Sequence, residues 1–271
     1  MTATQSGGIV LAGGGKMGGA LLTGWLKSGV HASNIHVVEP EASTAKSLVS
    51  LGVTVVAATA ELPGAAETVV FAVKPQIMHD VVPDYKRLAS AETVFLSIAA
   101  GCTIALFETH LGAVPVVRAM PNTPAAIGLG MTVACANAQT SNGQKARCQN
   151  LLKAVGEVAW VSEESLMDPV TAVSGSGPAY VFLLIETLAA AGVEAGLSAD
   201  LAMRLARATV RGAGELASRS EDAPGQLRVN VTSPGGTTAA ALDVLMAGDG
   251  LDRLMKRAVL AATARSKALA G

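Results

Sequence analysis

The segment "SPGGTT" (233–238) places two adjacent glycines and three hydroxyl side chains at the predicted start of a helix, the hydroxyls being those of Ser233, Thr237 and Thr238. Pro234 suits the first helical turn, where its missing N–H leaves no hydrogen bond unmade. Because Gly235 and Gly236 lack side chains, a ligand can reach the free N–H groups of that turn. N–H donors and the helix dipole favour an anion, so the segment predicts a clamp for a small carboxylate. In the simpler interpretation Ser233 merely caps the helix, which leaves the glycine pair unexplained.

A second glycine-rich turn near the N-terminus has the spacing of a dinucleotide-binding loop. In "IVLAGGGKMGGALLTG" a predicted strand is followed by Gly13, Gly15 and Gly18 in G-x-G-x-x-G register and then by a helix. The first glycine permits the tight turn, the second lets a pyrophosphate approach the backbone, and the third lets helix and strand pack closely. A glycine-rich turn without a ligand is the alternative, but its place on the first strand of an alternating pattern favours dinucleotide binding.

Glu39 ends the next predicted strand, where a carboxylate can accept hydrogen bonds from the adenosine ribose. A carboxylate there would repel a 2′-phosphate, which tilts the expected cofactor from NADPH toward NADH. The alternative is that Glu39 simply ends a strand before Pro40. The positions of Lys46 and Arg87, which could offset the charge, are open at this stage.

Two further strand ends are expected to face the same crevice. "FAVKPQ" ends the fourth strand with Lys74 and Pro75, and "SIAAG" ends the fifth with small residues that leave room for a flat ring. Ligands of open α/β sheets bind outside the carboxyl ends of the strands. We therefore expect contacts with ribose and nicotinamide, although Lys74 could also be an ordinary surface lysine.

The elements that position these residues change character along the chain. Up to Trp160, β-branched runs alternate with amphipathic segments that close on glycine, which predicts an α/β fold with a doubly wound, mostly parallel sheet. The strand segments are "GIVLAG", "NIHVVEP", "VTVVAA", "TVVFAVKP", "TVFLSIAAG", "PVVRAMP" and "MTVACAN". From Glu163 onward only helices are predicted, with Ser198 capping one and Asp249 or Gly250 opening the last. The expected domains are 1–162, a Rossmann domain, and 163–271, an Ala- and Gly-rich helical domain that completes its core with a second subunit.

Composition limits the classes of partner. The 271 residues are 50% hydrophobic with a formal net charge of −1, and no dense Lys/Arg cluster exists to follow a nucleic-acid backbone. The opening "MTATQSGG" has no basic stretch, so no signal peptide is expected. The run "AYVFLLIETLAAAGV" counts 15 residues and contains Glu186, which favours a buried helix over a membrane span. Three cysteines without CxxC spacing predict neither disulfides nor a metal site, which suits the cytoplasm.

The chain resembles the pyrroline-5-carboxylate reductase family. The similar segments occur in the family's order over nearly the whole chain: "AGGGKMGGALLTG", "FAVKPQ", "SIAAG", "RAMPNTPA", "SGSGPAYVF" and "NVTSPGGTTAAALDVL". The resemblance implies a Rossmann domain, a helical domain that interlocks with its twin, and dimers that assemble into larger rings, often decamers. On residues alone, the Gly-rich turn of "SGSGPAYVF" is more simply explained by helix packing than by a site.

The resemblance also assigns residues to the substrate and the cofactor. The active site would lie where the cofactor crevice meets the SPGGTT turn in the dimer. The implied substrate contacts are Glu164, Ser233, Gly235, Gly236, Thr237 and Thr238. The implied cofactor contacts are Gly13, Gly15, Lys16, Met17, Gly18, Glu39, Ala72, Val73, Lys74, Pro75, Ala99, Ala100, Asn122 and Asn230. Glu39 departs from NADPH-preferring relatives, which usually carry small or basic groups there.

The implied reaction is hydride transfer from NADPH or NADH to the C=N bond of 1-pyrroline-5-carboxylate, giving L-proline. The cofactor supplies the reactive group, so the protein has to align two rings and fix the carboxylate. This suits a site rich in Gly, Ser and Thr, in which no histidine occupies a motif. Thr238 is the expected catalytic residue, orienting the imine nitrogen, although a Thr hydroxyl is a weak acid and solvent can supply the proton.

Two alternatives remain at the level of sequence. A 3-hydroxyacid dehydrogenase would need a catalytic Lys or His early in the helical domain, and residues 164–200 contain neither. A non-catalytic dinucleotide-binding regulator would need no carboxylate clamp. The SPGGTT turn therefore argues against the regulator.

Overall fold

The computed structural model describes residues 8–269, which form two compact units. Of the described residues, 8–175 and 262–269 form one unit, and Ser176–Ala261 form the other. Residues 1–7 of the opening segment, where no signal peptide is expected, lie outside the described residues. The domain boundary expected after residue 162 stays a prediction. In the structure, residues 163–175 belong to the first unit.

A single sheet organises the first unit, and within residues 8–269 it has eight strands. These are β1 (Ile9–Ala12), β2 (Ile35–Val38), β3 (Thr54–Val56), β4 (Thr68–Phe71), β5 (Val94–Ser97), β6 (Val116–Met120), β7 (Gly130–Ala136) and β8 (Gly156–Trp160). Their order is β3-β2-β1-β4-β5-β6-β7-β8, and β7 runs antiparallel to β6 while the other neighbours are parallel. The predicted mostly parallel, doubly wound sheet is confirmed. The strand β8, "GEVAW", was not among the predicted segments, since Gly and Glu open it and its side chains are partly exposed.

Helices cover both faces of this sheet. They are α1 (Lys16–Lys27), α2 (Ala42–Val49), α3 (Met78–Val81), α4 (Ile104–Leu111), α5 (Asn142–Lys153) and α6 (Met167–Val170). On one face Phe71 packs against Tyr85 and Phe107, with ring centroids 4.9 Å and 5.2 Å apart. On the other, Trp25 of α1 is fully buried and its indole N–H donates to the Leu151 carbonyl of α5 at 2.9 Å. These contacts fix α1, and with it the glycine-rich turn that precedes it.

The second unit is helical, as predicted. It contains α7 (Gly177–Glu194), α8 (Ala199–Arg219), α9 (Pro224–Asn230) and α10 (Thr237–Leu245), and α11 (Leu251–Leu269) begins in it. Its buried cluster consists of Ala189, Ala202 and Ala206. Ser198 precedes α8 as predicted but makes no side-chain capping bond, and Gly250 precedes α11.

Much of the apolar surface of these helices is uncovered. Among the described residues, one helical stretch, Glu164–Glu194, is by length and composition apolar enough to cross a membrane, with 6% of its most apolar window buried. The run "AYVFLLIETLAAAGV", which was expected to form a buried helix, is part of this 31-residue stretch and is mostly exposed in the chain as described. A single helix of this kind is weak evidence for a membrane, since apolar helices that pack on another protein pass the same test.

Candidate active site

The glycine-rich turn joins β1 to α1 at the point where the order of strands reverses. Gly13 has a φ of +92°, which disfavours any residue with a side chain. A Cβ on Gly18 would lie 2.1 Å from the Gly13 carbonyl oxygen, so the turn and helix can approach only without it. At Gly15, which precedes α1, a Cβ would meet nothing within 4 Å. The turn is therefore tight at two glycines and open at the third, where α1 presents its free N–H groups.

A crevice of about 690 Å³ opens beside this turn, at the carboxyl ends of β1, β2 and β4. Six residues with a predicted cofactor role line it: Gly13, Gly15, Glu39, Ala72, Val73 and Lys74. The remaining ones of the first unit lie outside that lining: Lys16, Met17, Gly18, Pro75, Ala99, Ala100 and Asn122. Pro75 instead begins a short 3-10 helix, Pro75–Ile77, directly after the exposed Lys74. The crevice thus brings together the glycine turn, the carboxylate after β2 and the lysine after β4.

Two carboxylates shape one wall of the crevice. Glu39 accepts hydrogen bonds from the Gly14 N–H at 2.8 Å and the Glu41 N–H at 3.0 Å, so both of its oxygens are fixed. Glu41, which sequence reasoning did not single out, also lines the crevice and caps α2. The hydroxyls of Ser43 and Thr44 and their backbone N–H groups lower the pKa of Glu41 to about 2. This wall therefore presents two carboxylate side chains to the crevice.

Arg87 donates hydrogen bonds to the backbone of a loop beside the crevice. Its guanidinium donates to the carbonyls of Thr59, Leu62 and Pro63 at 2.6, 2.9 and 3.2 Å. It holds the loop that follows β3, of which Thr59 lines the crevice. Three hydrogen bonds of this guanidinium are therefore made to the backbone of that loop.

Glu164 forms contacts within the first unit, and its expected contact with the substrate stays a prediction. Its Oε1 accepts from the Arg118 guanidinium at 2.8 Å and from the Ile104 N–H at 2.9 Å. Arg118 is buried, with 5% of its side chain exposed. Burial raises the pKa values of the neighbouring Cys102 and Cys135 thiols, which therefore remain neutral. Glu164 is thus the negative partner of Arg118.

Asn122 has its side chain engaged within the first unit. Its Oδ1 accepts from the Met131 N–H at 2.9 Å, and its Nδ2 donates to the Ser174 carbonyl at 3.3 Å. Met120 packs beside Gly175, where a Cβ would come within 2.5 Å of the Met120 methyl group. The start of "SGSGPAYVF" is therefore held by packing and hydrogen bonds, in line with the simpler explanation for its small residues.

The SPGGTT turn lies in the second unit and differs from expectation in one respect. Helix α10 begins at Thr237, so Pro234 lies in the preceding turn and not in the first helical turn. Gly235 has a φ of +69°, and a Cβ on Gly236 would come within 2.4 Å of the Ser233 hydroxyl. The glycine pair thus has a structural reason: one residue turns the chain and the other makes room for Ser233.

No side chain caps this helix. Ser233 makes no capping bond to α10, which has Gly236 before its first residue. The first backbone bond of the helix runs from the Ala240 N–H to the Gly236 carbonyl at 3.2 Å, so the N–H groups before it have no helical partner. Ser233 and Thr237 are exposed, and Thr238 is half-buried. Asn230 bonds Gln226 at 2.8 Å and Asp222 at 3.3 Å.

Comparisons with known proteins agree along the chain. A family model described as pyrroline-5-carboxylate reductase dimerisation matches residues 164–269, and one described as NADP oxidoreductase, coenzyme F420-dependent, matches residues 8–101. A pyrroline-5-carboxylate reductase of Pseudomonas aeruginosa is 42% identical over 264 residues, covering 97% of this chain and 96% of the relative.

Two solved structures are similar over their whole length. The pyrroline-5-carboxylate reductase of Coxiella burnetii has a TM-score of 0.93 at 35% identity, covering 98% of this chain and 100% of its own. The pyrroline carboxylate reductase of Plasmodium falciparum, with NADP bound, has a TM-score of 0.83 at 32% identity, covering 97% and 98%.

Proposed function

The chain belongs to the pyrroline-5-carboxylate reductase family, and from this premise we propose how its residues share the work of the reaction. It reduces 1-pyrroline-5-carboxylate to L-proline with a hydride from a nicotinamide dinucleotide. The observation that carries this function is the similarity in sequence and fold, over nearly the whole chain, to reductases of that name. No observation favours the dehydrogenase or the regulator, the two alternatives that the sequence left open.

The residues of the crevice fit a dinucleotide. The open face of Gly15 and the uncapped N-terminus of α1 offer backbone donors to a pyrophosphate. The close packing at Gly18 holds helix α1 against strand β1. Lys74, at the end of β4, supplies positive charge on the same crevice. When bound, the reduced nicotinamide supplies the hydride. Either NADH or NADPH serves the chemistry, and the carboxylates of Glu39 and Glu41 favour NADH.

We propose that the turn before α10 holds the substrate carboxylate. The free N–H groups of Thr237 and Thr238, the dipole of α10 and the Ser233 hydroxyl would bind it, and Gly235 and Gly236 leave it access. The Thr238 hydroxyl would accept or donate a hydrogen bond at the ring nitrogen. Protonation of that nitrogen makes the C=N carbon a strong hydride acceptor, and the proton comes from solvent or is already on the iminium.

We propose that the protein works as a homodimer in the cytoplasm, with decamers as the larger assembly. The support is the dimerisation family match over residues 164–269 and the many exposed apolar side chains there, among them Phe182, Leu184 and Leu260. A second copy that covers these side chains would also account for the apolar stretch Glu164–Glu194 without a membrane. The balanced charge of the chain supports no nucleic-acid partner.

The test follows oxidation of NADH and of NADPH by the purified protein on addition of 1-pyrroline-5-carboxylate. Thr238→Ala should lower kcat by about 10²-fold if the hydroxyl positions the ring nitrogen. Thr109→Ala, at an exposed threonine of α4, is the matched control and should retain wild-type kcat. Absence of substrate-dependent oxidation in the folded wild type would overturn the function. Wild-type kinetics in Thr238→Ala would overturn the role of Thr238 alone.

A further inference from the structure

A buried arginine lies beneath the loop that follows β5. Arg118 belongs to β6, next to β5 in the sheet, and its side chain is 5% exposed. A buried guanidinium is stable only with a well-placed partner, because its own hydration is lost. That partner is Glu164, whose Oε1 is 2.8 Å from the guanidinium and which lies 46 residues further along the chain. The pair is therefore specified by the fold and not by local sequence.

The same carboxylate oxygen also holds the start of α4. It accepts the Ile104 N–H at 2.9 Å, while the capping bond of Thr103 to the Leu106 N–H is longer, at 3.4 Å. Ile104 is the first residue of α4 and directly follows the loop Ala99–Thr103. A carboxylate at this position satisfies a free donor and interacts favourably with the helix dipole. One oxygen of Glu164 thus joins β6 to the end of the Ala99–Thr103 loop.

The loop occupies the place where the nicotinamide half of a dinucleotide is expected. The crevice beside Gly13 and Glu39 takes the adenosine half, and β5 lies beyond β4 on the other side of β1. A dinucleotide that crosses the point where strand order reverses has its second half over the ends of β4 and β5. A shift of this loop would misalign the hydride donor without disturbing the adenosine half.

We propose that Arg118 is a positioning residue for hydride transfer: through Glu164 and the Ile104 N–H it fixes the Ala99–Thr103 loop under the nicotinamide ring. The inference rests on the proposed function, since it concerns the geometry of that reaction. Arg118 is not among the residues that line the crevice, and its proposed role is exerted through Glu164 and the loop. Its effect is on alignment, and small misplacements of reacting groups can cost about 10²-fold in rate.

The experiment compares variants of the full-length enzyme by kcat, by the deuterium isotope effect from 4-deuterated cofactor, and by the Kd of ADP-ribose. Arg118→Met removes the charge at similar length, and Arg118→Lys keeps the charge without the planar fork. Glu164→Gln keeps an acceptor for the Ile104 N–H but removes the counter-charge. Arg147→Met is the matched control, because Arg147 forms a half-exposed pair with Glu67 at 3.7 Å.

We expect Arg118→Met to lose about 10²-fold in kcat with an increased isotope effect, while the Kd of ADP-ribose stays within about 3-fold of wild type. Arg118→Lys should recover part of the rate. Glu164→Gln should lose about tenfold in kcat with an unchanged KM for 1-pyrroline-5-carboxylate even if Arg118→Met folds poorly, whereas loss of a substrate contact would raise that KM. Equal loss of ADP-ribose binding and kcat in these variants would show a merely structural pair and overturn the inference. So would kcat values for Arg118→Met and Glu164→Gln equal to that of Arg147→Met. An inactive wild type would instead overturn the proposed function, and the inference with it.

Discussion

The charge of Glu39 should set the preference between NADH and NADPH. Its oxygens are fixed in the crevice by the Gly14 and Glu41 N–H groups, at 2.8 and 3.0 Å. A carboxylate about 6 Å from a phosphate group repels it by about 3 kcal/mol per unit of charge at an effective dielectric constant of about 20. Solvent in the open crevice reduces this to about 1–3 kcal/mol in total, which corresponds to about 10- to 100-fold in affinity. We expect the wild type to prefer NADH by a factor in this range.

The informative substitution is Glu39→Gln, which keeps an oxygen for the Gly14 N–H and removes only the charge. We expect the ratio of kcat/KM for NADPH to that for NADH to rise by about 10- to 100-fold. Because repulsion between charges is screened by salt, the preference of the wild type should weaken as ionic strength rises. Glu41→Gln is the control for general charge effects at this wall, and we expect a smaller change there. A cofactor ratio for Glu39→Gln equal to that of the wild type would refute the reasoning, since it would mean that the carboxylate does not face the 2′ position.

The remaining predictions concern the glycine turn and the cap of α2. Gly18→Ala places a Cβ against the Gly13 carbonyl and should destabilise the fold by about 1–3 kcal/mol, lowering the Tm, whereas Gly15→Ala should keep the wild-type Tm and raise the KM for the cofactor about tenfold. A lower Tm for Gly15→Ala than for Gly18→Ala would contradict these assignments. The pKa of Glu41 is about 2 in the folded protein and is ordinarily 4.5. The stabilisation by its carboxylate is therefore complete above pH 4.5 and is lost as the pH falls toward 2. The Tm difference between wild type and Glu41→Gln should therefore be larger near pH 6 than near pH 3, and a constant difference would show that the carboxylate charge does not stabilise the cap.

Local pattern was sufficient for most of the fold. The seven predicted strand segments each contain a strand, because continuous β-branched runs between glycine-closed helices are what a sheet covered on both faces requires. Strand β8 was missed because "GEVAW" has neither a continuous apolar run nor clear alternation. The start of α10 was predicted about one turn too early, since Pro234, Gly235 and Gly236 belong to the preceding turn and the helix begins at Thr237.

Contacts between residues far apart in the chain could not be predicted from local sequence pattern. The sequence indicated Glu164 only through family resemblance, and nothing local pairs it with Arg118, 46 residues earlier. Glu41 could have been found, because a carboxylate followed at two and three positions by Ser43 and Thr44 before a helical run is a capping signal. The Rossmann pattern predicts a role for Glu39, at the end of the second strand, and none for Glu41.

Helix capping separates the cofactor helix from the other helices of the sheet unit. Among the described helices of at least eight residues there, α2, α4 and α5 have side-chain caps from Glu41, Thr103 and Ser141. Helix α1 has Gly15 and no side-chain cap, so its N–H groups stay available to an anion. In the helical unit the absence of a side-chain cap does not distinguish α10 from its neighbours, because α7 and α8 also have none. There the distinguishing features of α10 are the left-handed Gly235 and the Ser233 hydroxyl over Gly236, which together keep polar groups near an open helix end. We therefore expect the two proposed anion sites, before α1 and before α10, to rely mainly on backbone donors.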